Sequence, residues 1–122
     1  MSNSALKAVG EYIERFNELT GQSIPCGTIF QSAGLEVHIR KHHPNIVHEM
    51  GQIPAILSAP DYVGQNPKET NSIEVVKRLS TNLMVCVKLD LVRGYLYVAS
   101  LYDITDAKLE KRLKTGRLKP YK

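Results

Sequence analysis

Apolar residues recur along this chain with two different periods, and the change from one to the other falls near residue 72. Before it, Leu6, Val9, Ile13 and Phe16 stand three and four apart, the spacing of one helical face, which predicts an amphipathic helix over residues 4–20 ended by Gly21. Ile24, Pro25, Thr28, Ile29 and Phe30 predict a short extended segment at 24–30. A second helix is expected over 33–43, with Ser32 as its N-cap and Pro44 at its end. A third helical stretch over 47–57 leads into a polar loop at 64–71. Beyond it, residues 72–79, 82–91 and 94–104 are rich in Val, Ile, Leu and Tyr, with breaks short enough for antiparallel hairpins. A last helix over 107–114 is capped by Thr105 or Asp106 and ended by Gly116. The expected fold class is α+β, with N-terminal helices packed on a small antiparallel meander and a C-terminal helix.

Because strand side chains alternate, the meander has two chemically different faces. The odd positions Ile73, Val75, Leu79, Leu83, Val85, Val87, Leu89, Leu91, Tyr95, Tyr97, Ala99 and Leu101 are expected to face the core, with Lys77 the exception. The even positions mix Glu74, Arg78, Lys88, Asp90, Ser100 and Tyr102 with Val76, Met84, Cys86, Leu96 and Val98. Pairing Leu79 with Leu83 and Leu91 with Tyr95 sets Glu74 opposite Lys88, Lys88 opposite Val98, Cys86 opposite Ser100, and Met84 opposite Tyr102. One reading is a solvated face carrying a Glu–Lys pair. The other, favoured by the embedded apolar residues, is a site where carboxylate, ammonium, hydroxyl and phenol converge.

At 122 residues, 43% hydrophobic and 23% charged, without low-complexity tracts or repeats, the chain fits one domain with one core. Its net charge of +4 permits a polyanionic partner without demanding one. Part of the surplus lies in the run from Lys108 to Lys122, which reads first as a solvated helix face and tail, and second as added RNA-binding surface. Neither a signal-peptide core nor an apolar run of about 20 residues is visible, so the expectation is a cytoplasmic protein with no membrane partner. Cys26 and Cys86 are too few and too far apart for a zinc motif and read as buried free thiols.

Residues 38–44, His-Ile-Arg-Lys-His-His-Pro, hold three of the four histidines and two fixed cations. Imidazole titrates near 6.5 and acts as acid or base in water, while Arg40 and Lys41 attract phosphate. Leu35, His38, Ile39 and His42 fall on one helical stripe, which turns His38 and His42 inward and Arg40, Lys41 and His43 away.

Four segments in this order, residues 38–44, then Pro-Asp-Tyr-Val-Gly at 60–64, Ser-Ile-Glu-Val-Val at 72–76, and Tyr-Leu-Tyr-Val-Ala-Ser-Leu-Tyr at 95–102, form a recognisable pattern. It resembles the phage-associated nuclease domains grouped with the barnase, EndoU, colicin and RelE toxins, over residues 28–118, with residues 1–22 an accessory N-terminal helix. The resemblance implies a metal-independent endoribonuclease that needs no cofactor, cuts by 2′-hydroxyl transesterification and is tied to a toxin or mobile element. It also implies RNA and an immunity or antitoxin protein as partners. Carried over by position, it points to His38, Glu74, Ser100 and Tyr102, while Lys88 enters through the strand pairing. His38 would be general acid or base, Glu74 its complement, Lys88 the charge stabiliser, and Ser100 and Tyr102 donors to phosphate. Arg40, Lys41, His42 and Arg78 would guide the RNA backbone. The doubled His42-His43 departs from the single terminal histidine frequent in this group, which leaves open which imidazole acts.

Three other readings compete. His38 and His42 stand at i, i+4, a spacing that can hold a metal, although no His-Glu-x-x-His pattern surrounds them. A non-catalytic RNA- or protein-binding domain is the principal alternative, and the apolar stripe of the first helix would then suit a homodimer or partner interface. Nucleophilic catalysis by Ser100 or a cysteine lacks a Gly-x-Ser-x-Gly elbow or an activating partner.

Overall fold

The computed structural model describes residues 6–122. In chain order its elements are β1 (Lys7–Tyr12), α1 (Glu14–Thr20), β2 (Gly27–Gln31), α2 (Gly34–His42), a 3-10 segment (Pro44–Gln52) and α3 (Ile53–Ser58), followed by β3 (Tyr62–Gly64), β4 (Ser72–Arg78), β5 (Asn82–Leu89), β6 (Leu96–Ile104), α4 (Asp106–Thr115) and β7 (Leu118–Pro120). The fold is mixed α+β as expected, but the sheet is larger than a meander. Its order is β1-β2-β6-β5-β4-β3-β7, all antiparallel except β2 beside β6.

The helix expected over 4–20 is in fact a strand followed by a short helix, and positions 4 and 5 lie outside the described residues. A bulge explains the misleading spacing. Ala8 pairs with Phe30 and Gly10 with Ile29, so Val9 is an extra residue that resets the alternation. Val9 and Tyr12 then both point inward at three-residue spacing, which imitates a helix. Val9 and Phe16 are spent on the core while Leu6 and Ile13 stay exposed, so the stripe expected to form an interface is split.

Further differences are local. Ser32 makes no side-chain cap for α2, and only its carbonyl accepts the Leu35 N–H. The stretch expected over 47–57 begins at Pro44 as 3-10 helix before α3. Thr105, by contrast, accepts from the Lys108 N–H, and Gly116 ends α4 at φ 83°, as its sequence position predicts.

The first hairpin pairs Arg78 with Asn82 rather than Leu79 with Leu83, which moves each partner by two residues. An even shift preserves the faces, so Glu74 meets Cys86 and Ser72 meets Lys88. In the second hairpin Met84–Tyr102 and Cys86–Ser100 pair as expected. A bulge at Ala99 then brings Val98 opposite Val87 and Tyr97 opposite Lys88, not Val98 opposite Lys88. The parity of β6 reverses there. Leu96 and Val98 join the core, and Tyr95, Tyr97 and Ala99 leave it. Leu79 and Leu91, expected in the core, are exposed in the hairpin turns.

The main core sets Ile73, Val75, Leu83, Val85, Val87 and Leu101 against Phe16, Leu35, Ile39, Ile46, Ile53 and Ile56. On the other face, Val76, Met84, Ile104 and Leu118 pack against Leu109 of α4. That helix covers only part of the face. The remainder, around Ser72, Glu74, Cys86 and Ser100, is left for polar chemistry. β7 closes over β3 because Gly64 has no side chain: a Cβ there would collide with the Arg117 carbonyl oxygen. This contact carries Arg117 toward β4.

Candidate functional site

His38 from α2, Glu74 from β4, Lys88 from β5, and Ser100 and Tyr102 from β6 line one cavity of about 260 Å³. Asn66, Glu69, Ser72 and Cys86 complete its polar wall. Strand alternation explains most of this convergence, since Ser72, Glu74, Cys86, Lys88, Ser100 and Tyr102 occupy the face opposite the main core. The bulge at Ala99 leaves Ser100 and Tyr102 in register with Cys86 and Met84.

His38 and His42, expected to face inward, are both exposed, and α2 delivers His38 to the rim of the cavity. His38 and His42 rings stand 4.7 Å apart, and His43 lies 6.4 Å from His38. The expectation that His43 faces away is corrected: α2 ends at His42, and His43 adopts φ −141°. This turns its ring onto Tyr102, stacked at 5.3 Å and 24°. His38 titrates below its ordinary 6.5, first because it is partly desolvated, then because His42 and His43 repel its proton. Near neutrality it is therefore a neutral imidazole able to accept one.

Glu74 is buried, with 3% of its surface exposed, and both its oxygens accept from Arg117: Nε to Oε1 at 2.9 Å and Nη2 to Oε2 at 2.6 Å. This bidentate geometry raises the guanidinium pKa above its usual value, the hydrogen bond to Glu74 being the main cause. Arg117 is absent from the residues singled out by sequence. Its only sequence signal is a place in the basic C-terminal run, and nothing local links it to Glu74. Lys88 Nζ pairs with Glu69 Oε1 at 3.3 Å rather than with Glu74.

The Tyr102 hydroxyl accepts from the Cys86 thiol at 3.7 Å. Burial foremost, then the neighbouring thiol, pushes the phenol well above its ordinary range, so it stays protonated and able to donate. Burial also pushes the Cys86 thiol up to about 11, which makes it a poor nucleophile at neutral pH. Both cysteines are free, but Cys26 is exposed, against the expectation of a buried thiol.

The residues expected to guide RNA divide. Arg40 is paired with Glu36 at 2.7 Å on the outer face of α2, with Lys41 exposed beside it. His42 lies within the imidazole group. Arg78 stands at the far end of β4, about 13 Å along the strand from Glu74, where it pairs with Asp106. The structure does not bring it to the cavity. Among the described residues, no group of three or more His, Cys, Asp or Glu side chains is placed to hold a metal ion, and no helix is long and apolar enough to cross a membrane.

A family model described as phage-Barnase-EndoU-ColicinE5/D-RelE like nuclease 3 matches residues 7–111, so β1 and α1 fall within the match and Arg117 beyond it. Neither curated proteins nor solved structures gave a match.

Proposed function

This chain belongs to the phage-Barnase-EndoU-ColicinE5/D-RelE like nuclease family, and from that premise we propose that it is an endoribonuclease that cuts by 2′-hydroxyl transesterification without a metal ion. The observation that carries the reading is the gathering of His38, Lys88, Ser100 and Tyr102 from three elements around one cavity.

His38 takes the proton from the 2′-hydroxyl. The 2′-oxygen then bonds to phosphorus, the bond from phosphorus to the 5′-oxygen breaks, and the leaving oxygen receives a proton. For that second transfer the imidazole group is better placed than Glu74, whose oxygens are committed to Arg117. His43 is our choice. It is held on Tyr102, which lines the cavity, and its ring centroid stands 6.4 Å from that of His38, so both imidazoles sit at the same rim. Lys88 counters the charge that grows on the phosphorane, and Tyr102 and Ser100 donate to its oxygens. Arg117 lies outside the cavity lining and holds the Glu74 carboxylate that forms its wall.

The test is a pair of oligonucleotides, one RNA and one with 2′-deoxyribose at every position. Cleavage of the first with the second left whole is the expected result. Equal cutting of both would refute transesterification, and binding of RNA without cutting would select the non-catalytic domain instead.

A pH profile checks the base. His38 accepts a proton only in its neutral form, so cleavage should fall as pH drops through its lowered pKa, placing the acid limb below 6.5. His42→Asn removes one repelling charge and should move that limb upward. A limb that stays in place in this variant argues that His38 is not the group being titrated.

A further inference from the structure

A second, larger cavity of about 660 Å³ opens beside the first, between α4, β7 and the loop after β3. Lys108, Lys111, Arg112, Arg117 and Lys119 line it, and no acidic or aromatic side chain does so among the described residues. The arrangement follows from sequence: Lys111 and Arg112 follow Lys108 by three and four residues, so each neighbours it along α4 at about 5–6 Å. Five cations around one hollow repel each other. Only Arg117 has a carboxylate partner; Lys108, Lys111, Arg112 and Lys119 enter none of the ion pairs among the described residues. Such a surface is electrostatically incomplete until an anion enters it.

Two features join this hollow to the catalytic candidate. Arg117 lines it while holding Glu74 of the smaller cavity, and Gln65 and Pro67 lie on one side of the same loop that places Asn66 on the other. We infer that the basic cavity is a docking track for the phosphate backbone of a single-stranded RNA next to the scissile phosphate. The identity of the strand rests on the proposed ribonuclease activity. The lack of aromatic side chains means that phosphates are gripped and bases are not stacked, so docking is independent of sequence.

The probe is a fluorescent single-stranded oligouridine of about ten nucleotides with 2′-O-methyl riboses, which cannot be cleaved by transesterification, so binding is read apart from catalysis. Reversing two exposed cations, Lys108→Glu with Lys111→Glu, should weaken binding to the full chain at least about tenfold near 0.1 M salt. It should also flatten the slope of log affinity against log salt by about 1.4. The milder Lys108→Gln with Lys111→Gln should show a smaller loss of the same kind, and Lys7→Glu, on the opposite sheet edge, a change within about twofold. Unaltered affinity and slope in the reversed variant would overturn the inference. So would displacement of the oligouridine by oligoglutamate of equal length as effectively as by unlabelled RNA, the mark of an acidic protein site. Tight, salt-dependent binding by a protein that leaves natural RNA intact would sink the cleavage mechanism and uphold the track.

Discussion

His38→Ala is expected to slow RNA cleavage by about 10²–10⁴-fold, the usual worth of a positioned acid or base. The fold should not notice. His38 is exposed, and its ring contacts within the protein are to His42 and His43. A surface change of this kind normally alters stability by no more than about 0.5 kcal/mol. Thermal midpoint and turnover measured on the same preparation separate the two effects. A fully folded variant that retains activity within about tenfold of wild type would remove His38 from the mechanism and return the choice to His42 or His43.

The largest effect on stability is expected at Arg117. Arg117→Ala leaves the Glu74 carboxylate buried beside Cys86 with neither of its two hydrogen-bond donors, and loss of one partner of a buried pair costs about 3 kcal/mol or more. In a chain of this size that lowers the melting midpoint by roughly 10 °C. Removing both charges together, as Glu74→Gln with Arg117→Met, should recover much of the loss, because the desolvation penalty disappears with the pair. Urea titration of the wild type and the two variants reads this directly. A double variant no more stable than Arg117→Ala would contradict it. Cleavage should fall in both, since each loses the guanidinium that braces the Glu74 wall of the cavity.

These expectations rest on different parts of the sequence reading. The polar face of the hairpins was legible because alternation survives wherever strands are regular, and so Glu74, Lys88, Ser100 and Tyr102 fall on one face in the sequence pattern alone. It failed at the two bulges. Val9 made a strand look helical, and Ala99 exchanged Leu96 and Val98 for Tyr95 and Tyr97, each by inserting a single residue that leaves no mark in composition. β3 and β7 are three residues long, too short for any period to show. Their pairing depends on the bare backbone of Gly64 meeting a segment that follows it by more than fifty positions, and the same approach brings Arg117 to Glu74. His43 escaped for a different reason: helical geometry sends it outward, but the chain leaves the helix one residue earlier, ahead of Pro44.

The central claim is that the imidazole group at the end of α2 and the polar sheet face form one metal-independent ribonuclease site. Incubation of the purified protein with total RNA in EDTA, followed by mapping of the new ends, tests it most directly. Fragments ending in 2′,3′-cyclic phosphate from the wild type, and absent with His38→Ala, are the predicted result. Intact RNA at micromolar protein, or cleavage equally strong in the variant, would contradict it.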